Sequence, residues 1–119
     1  MQMIITNNPD VAAKYGSHAF CCEGCVIDVF IQVRDAVHKG AKLISHPLSG
    51  SIKPNESPYK SVVISKTAGP LDYKSLQVIE DAIAKLYQLS KKNYAYNESI
   101  LEDFRIIDLD LVNSAYKKE

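Results

Sequence analysis

The sequence has no surplus of charge: 14 Lys and Arg residues stand against 14 Asp and Glu. A neutral chain offers no electrostatic reason to expect nucleic acid or an anionic membrane as partner. Long apolar runs are lacking too. The amino-terminal "MQMIITNNPD" holds a four-residue apolar stretch without a basic leader, and no later run approaches the roughly 18 apolar residues of a membrane span. The expectation is a cytoplasmic protein. Cysteine is absent except from "CCEGC", where three lie too close together for a disulfide framework, which fits a reducing compartment. With 119 residues, 46% of them apolar, the chain is long enough for one domain, 1–119, to bury a core without covalent staples.

What is present reads as alternating strands and helices. "MIIT" is a short β-branched run stopped by Asn7, Asn8 and Pro9. Pro9 suits a first helical turn, and a short helix over Asp10–Tyr15 is closed by Gly16. "HAFCC" is a second strand. From Val26 the period becomes helical, with Val29, Phe30, Val33, Ala36 and Val37 on one face and Gly40 as the stop. "AKLIS" and "KSVVISK" return to strand character. Asp72 caps a helix striped by Leu76, Ile79, Ile83, Leu86 and Tyr87. The last stretch is ambiguous: Ile100, Phe104, Ile107, Leu111 and Ala115 fit a helical face, whereas "IDLDLV" alternates as a strand does. The helical match is longer and is preferred for 100–116. This order predicts an α/β fold in three layers, a mostly parallel four-stranded sheet with helices on both faces, like a Rossmann-like or flavodoxin-like half. "KSVVISK" can pair in either direction, because no helix precedes it.

In such a sheet, ligands bind where loops leave the carboxyl ends of the strands. That rule gathers "TNNPD", "CCEGC" and "SHPLSGSIKPNESPY" on one rim. The last of these is a long excursion stiffened by Pro47, Pro54 and Pro58, and loops of that length are more often functional than incidental. It offers His46, Ser49, Ser51, Lys53, Asn55 and Tyr59 as polar groups, and Gly50 where a backbone amide can approach a ligand. The bland alternative is a stiff cover over the sheet edge whose polar groups satisfy its own backbone. His46 is the candidate general base, against a plainer role as a hydrogen-bonded strut. "CEGC" places Cys22 and Cys25 at redox spacing before a helix, where a dipole favours thiolate. Cysteine is also a common small buried hydrophobe, and no second pair completes a metal set. Neither the Walker spacing nor the dinucleotide fingerprint occurs, so no cofactor and no metal is expected.

Taken together, "ITNNP", the "EG" after the second strand, "VRDAVHKGAKLISHPLSGSIKPNESPYKSVVI" and "LDYKSLQVIEDAI" resemble the GrdX family over roughly residues 3 to 113. These are small proteins encoded beside selenium-dependent glycine, sarcosine or betaine reductase components in anaerobic bacteria. The resemblance implies an accessory role in amino-acid reduction, with no activity of its own to carry over. Its motif positions are Asn7, Asn8, Glu23, Gly24, His46, Pro47, Gly50, Ser51, Lys53, Pro54, Asn55 and Tyr59. Cysteines around the Glu-Gly are a departure from the family pattern, which weakens the redox reading. The expected ligand is a small anionic or amino-acid-like molecule, or a reductase component, held by the 45–60 loop. The rivals are a small thiol redox enzyme using Cys22 and Cys25, an acid/base enzyme using His46, and a homo-oligomer formed through the last helix.

Overall fold

The structure, a computed structural model, describes residues 2–48, 56–66, 69–89 and 96–117. Three strands form one sheet: β1 (Gln2–Thr6), β2 (Ala19–Cys21) and β3 (Ser61–Ser65), in the order β2-β1-β3. β1 runs parallel to β2 and antiparallel to β3. The described residues also form four α-helices: α1 (Pro9–Tyr15), α2 (Val26–His38), α3 (Tyr73–Gln88) and α4 (Glu98–Ala115).

The sheet corrects the expected architecture. It is a small mixed sheet of three strands rather than a mostly parallel four-stranded one, and the three-layer Rossmann-like or flavodoxin-like half does not form. The missing strand is "AKLIS". Only Leu43 makes a ladder bridge there, to Ile64, while Ile44 and Ser45 both send their N–H groups to the Val63 carbonyl. Two donors on one acceptor break the alternation that a ladder needs. The fold remains α/β.

Strand alternation divides the core. Ile5, Val62 and Ile64 face α2 and α3, where Val29, Phe30, Val33, Val37, Ile79 and Ala82 are fully enclosed. Ile4 and Val63 face the other way, onto Val11 of α1 and Val112 of α4. Each such side chain removed from water contributes about 1.5–3 kcal/mol before entropy is counted. The helix starts follow capping chemistry. Asn8 Oδ1 accepts from Asp10 N at 3.0 Å, Asp72 Oδ2 from Ser75 N at 3.2 Å, and Asn97 Oδ1 from Ile100 N at 2.9 Å. In α2 the cap is a box: Cys25 is the N-cap, and Asp28 Oδ2 accepts from its N–H at 2.8 Å.

The ambiguous last stretch is helical as far as Ala115, but it turns a different face inward from the one its apolar spacing marks. Asp108 and Val112 are buried, whereas Ile100, Ile107 and Leu111 are 40%, 42% and 37% exposed.

Candidate functional site

The site grows from the carboxyl end of β1. Thr6 pairs with Ser61 across the ladder, so both side chains emerge on the face covered by α4. Their hydroxyl oxygens are 2.6 Å apart. Ser61 Oγ donates to Asp108 Oδ2 at 2.6 Å, and Asn8 N–H donates to Thr6 Oγ1 at 2.9 Å. A hydroxyl has one proton, so the Thr6 hydroxyl must be the donor to Ser61. The result is a one-way chain, Asn8 N–H to Thr6 to Ser61 to Asp108, in which each donor polarises the next. Asn8 closes it into a ring: Nδ2 donates to Asp108 Oδ2 at 3.1 Å and to the Arg105 carbonyl at 3.0 Å.

Asp108 is 5% exposed and Lys60, beside it in the same pocket, 8%. Burial pushes the Asp108 carboxyl above its ordinary value, against the hydrogen bonds from Ser61 and Asn8 and the attraction of Lys60. Burial likewise pulls Lys60 down, against the attraction of Asp108. The two charges are thus sunk together beneath a crevice lined by Ser45, Val63, Leu111 and Ala115. Its free volume is about 10 Å³, room for roughly one water molecule.

Asn7 draws the rim together. Its Nδ2 donates to the Gly24 carbonyl at 3.1 Å and the Pro58 carbonyl at 2.8 Å, while Oδ1 accepts from Lys60 N at 2.8 Å. With both amide protons committed, Asn7 is a strut joining the β1, β2 and β3 ends. The returning limb of the long loop is fastened to α4 as well. Arg105 Nη1 donates to Tyr59 Oη at 3.1 Å and its guanidinium lies 5.7 Å from the Tyr59 ring centroid. Arg105 also pairs with Glu98 Oε1 at 2.6 Å and faces Asp10 Oδ2 at 3.7 Å. Hydrogen bonds to Glu98 first, then to Tyr59, push its guanidinium above its already high ordinary value. Tyr96 Oη donates to the Glu56 carbonyl, and its ring meets Phe104 edge-on at 5.4 Å.

The structure therefore brings Asn7, Asn8, Gly24 and Tyr59 together. Glu23 is exposed next to Gly24. His46 is exposed at the departing limb, where its Nδ1 accepts from Leu48 N at 3.0 Å, the geometry of a local strut; Pro47 behind it is buried. Gly50, Ser51, Lys53 and Asn55 lie outside the described residues. Sequence reading missed Lys60, Ser61, Arg105 and Asp108. One signal was available: Asp108 interrupts the one segment whose apolar residues cover more than one side, where an inward carboxylate is tolerated only with partners.

The cysteines separate into two kinds. Cys21 and Cys25 are exposed and Cys22 is buried, all three as free thiols. Burial, then Cys21 and Asp28, push the Cys22 thiol up, opposite to the shift that a reactive thiolate needs. We expect a thiol reagent at pH 8 to modify Cys21 and Cys25 rapidly and Cys22 only on unfolding. Cys22→Ser should then remove the slow phase; three equally fast thiols would contradict this burial. Among the described residues no group of three His, Cys, Asp or Glu is placed to hold a metal ion. None of their helices is long and apolar enough to cross a membrane.

Compared with known proteins, residues 3–117 match the family model described as GrdX-like protein. No curated protein and no solved structure matches the chain. The match spans nearly the whole sequence, including the Asn pair, the proline loop and α4, and the chain belongs to the GrdX-like protein family.

Proposed function

We propose that the protein is an accessory component of a glycine-reductase-type system, acting by docking onto a protein of that system rather than by chemistry of its own. The contact surface is the rim where the 45–60 loop meets α4. The supporting observation is a contrast on that rim. The returning limb of the loop is pinned by Asn7, Tyr96 and Arg105 beside exposed apolar side chains of α4, whereas the polar crevice below is only water-sized. A preshaped surface with no roomy pocket among the described residues suits a macromolecular partner better than an enclosed substrate.

A second reading, a small amino-acid-like or anionic ligand at the crevice mouth, is favoured by Lys60 and Asp108 standing with Ser45 and Ser61. Opposite charges so placed match a zwitterion. One experiment separates the two. Purified protein is passed over immobilised glycine, sarcosine or betaine reductase subunits, and its melting temperature is followed with glycine, betaine and acetyl phosphate. Retention by a subunit, without a shift from the small molecules, is expected. A shift of several degrees with a small molecule alone favours the second reading, since ligand at 100 times Kd adds about 2.7 kcal/mol. Neither retention nor shift would remove both.

A further inference from the structure

The exposed apolar residues of α4 are arranged as a seam. Ile100, Phe104, Ile107 and Leu111 follow one another at spacings of four, three and four, the d-a-d-a pattern of two helical heptads. Phe104 is half-buried, and Ile100, Ile107 and Leu111 are 40%, 42% and 37% exposed. The seam extends about 16 Å at 1.5 Å per residue. On one side, Leu111 lines the crevice together with Ser45, which follows the exposed Ile44.

The other side of the seam is charged. The residues preceding each a position, Asp103 and Asp110, are both acidic and exposed. The positions following each d are Leu101 and Asp108, and Asp108 is turned inward to Ser61 and Asn8. The free flank is therefore purely acidic in a helix that carries five acidic residues and one arginine, within a chain of zero formal charge.

That charge pattern selects the occupant. A second copy of α4 packed antiparallel sets Asp103 and Asp110 against the same two aspartates. Packed parallel, it sets them against Leu101 and Asp108, the flank already used by its own core. Neither arrangement supplies a cation, and like charges along a helix pair oppose association. We propose that the Ile100–Leu111 seam receives an amphipathic helix of another protein whose apolar row is flanked by Lys or Arg, in the helix-on-helix mode of recognition. The proposal names the partner's chemistry for the docking reading above and rests on it for the protein that carries that helix. A single-helix contact of this length lies at the small end of specific interfaces, so micromolar, salt-sensitive affinity follows.

The test uses the full chain and a fluorescein-labelled 18-residue helical peptide with Leu at a and d and Lys at e and g. Controls are a scrambled peptide of the same composition and a peptide with Glu replacing Lys. Anisotropy should show binding of the Lys peptide only, weakened severalfold between 50 and 300 mM salt. Asp103→Asn with Asp110→Asn should weaken it about five- to tenfold. Ile107→Ala with Leu111→Ala should reduce it at least tenfold, with circular dichroism unchanged in both double variants. Equal binding of the scrambled or Glu peptide, or no binding at all, would overturn the proposal. So would a dimer in light scattering that Ile107→Ala dissolves, which would make a second copy the occupant. If the Lys peptide binds as expected but no reductase subunit is retained, the seam stands and the glycine-reductase role falls. If a subunit is retained equally by the Asp103/Asp110 variant, the seam falls and that role stands.

Discussion

Gly40→Ala is expected to cost about 3 kcal/mol of stability, one of the two largest effects of a single substitution here. Gly40 follows the last turn of α2 with φ at +106°, a conformation that side-chain-bearing residues rarely adopt. The second contribution is contact. A Cβ built on Gly40 would lie 2.4 Å from the Gly69 nitrogen and 2.5 Å from its carbonyl oxygen. Both are backbone atoms, so no rotamer change relieves the overlap; the connection between β3 and α3 must move. Gly16→Ala is the internal control. Its φ is +54° and nothing stands within 4 Å of its absent Cβ, so only about 1 kcal/mol is at stake. For a chain of this size the Gly40 variant should melt roughly 10 °C lower, the Gly16 variant a few degrees lower. Equal melting temperatures for the two would mean that the Gly40–Gly69 approach contributes nothing.

Part of the fold was legible in the sequence and part was not. Local signals held. Gly40 ended α2 where the periodicity stopped, Asp72 capped the helix it precedes, and Val26, Val29, Phe30, Val33 and Val37 are the buried stripe of α2. "AKLIS" misled because its apolar content describes a segment that lies against β3 through the single bridge of Leu43 to Ile64 without building a ladder. A sheet without that strand cannot be the expected four-stranded one. The Asn pair and the end of the proline loop do converge, through Asn7 to Pro58 and Lys60. They meet because antiparallel pairing sets the start of β3, Ser61, opposite the end of β1, Thr6, and not along the carboxyl rim of the expected parallel sheet. The buried ring that Asn8 joins was not legible in the sequence, because Ser61 and Asp108 are 53 and 100 residues from Asn8 in the chain and belong to elements with no sequence-level tie to it.

α4 presents the sharpest divergence. Its strongest apolar periodicity, Ile100, Phe104, Ile107, Leu111 and Ala115, points to one face, yet the helix buries the face centred on Asp108 and Val112. The polar ring around Asp108 fixes that rotation. Turning the seam inward would carry the carboxylate away from Ser61 and Asn8 and leave a cluster of β-strand hydroxyls facing apolar side chains. The same ring that sets the helix therefore exposes the seam. Stability within the monomer and availability to a partner follow from one geometric choice.

The second large effect lies in that ring. Asp108→Ala strips the acceptor from Ser61 and Asn8 and takes away the attraction that Asp108 exerts on the buried Lys60, so a loss of about 3–5 kcal/mol is expected. Against a typical total of about 5–15 kcal/mol this brings the fold near its limit. Lys60→Met alone should also destabilise, by leaving the Asp108 charge uncompensated. The double variant Lys60→Met with Asp108→Asn should lose less than the Lys60→Met and Asp108→Asn single losses added, because it removes both buried charges while an amide oxygen still accepts from Ser61 and Asn8. The pH dependence supplies an independent check. The Asp108 carboxyl is raised in the folded state, so the stability linked to it is full below the ordinary value of 3.8 and is lost as pH rises through the raised one. Wild type should therefore gain stability relative to Asp108→Asn as pH falls from 7 through that raised value. Lys60 is lowered, so its linked stability is full above 10.5 and lost as pH falls through the folded value. Wild type should gain relative to Lys60→Met as pH rises from 7 toward 10.5. Urea titrations of wild type and of the Asp108→Asn and Lys60→Met variants across pH 4 to 10 measure both trends, and a flat difference for either would show that the group is hydrated in solution rather than sunk beneath the rim.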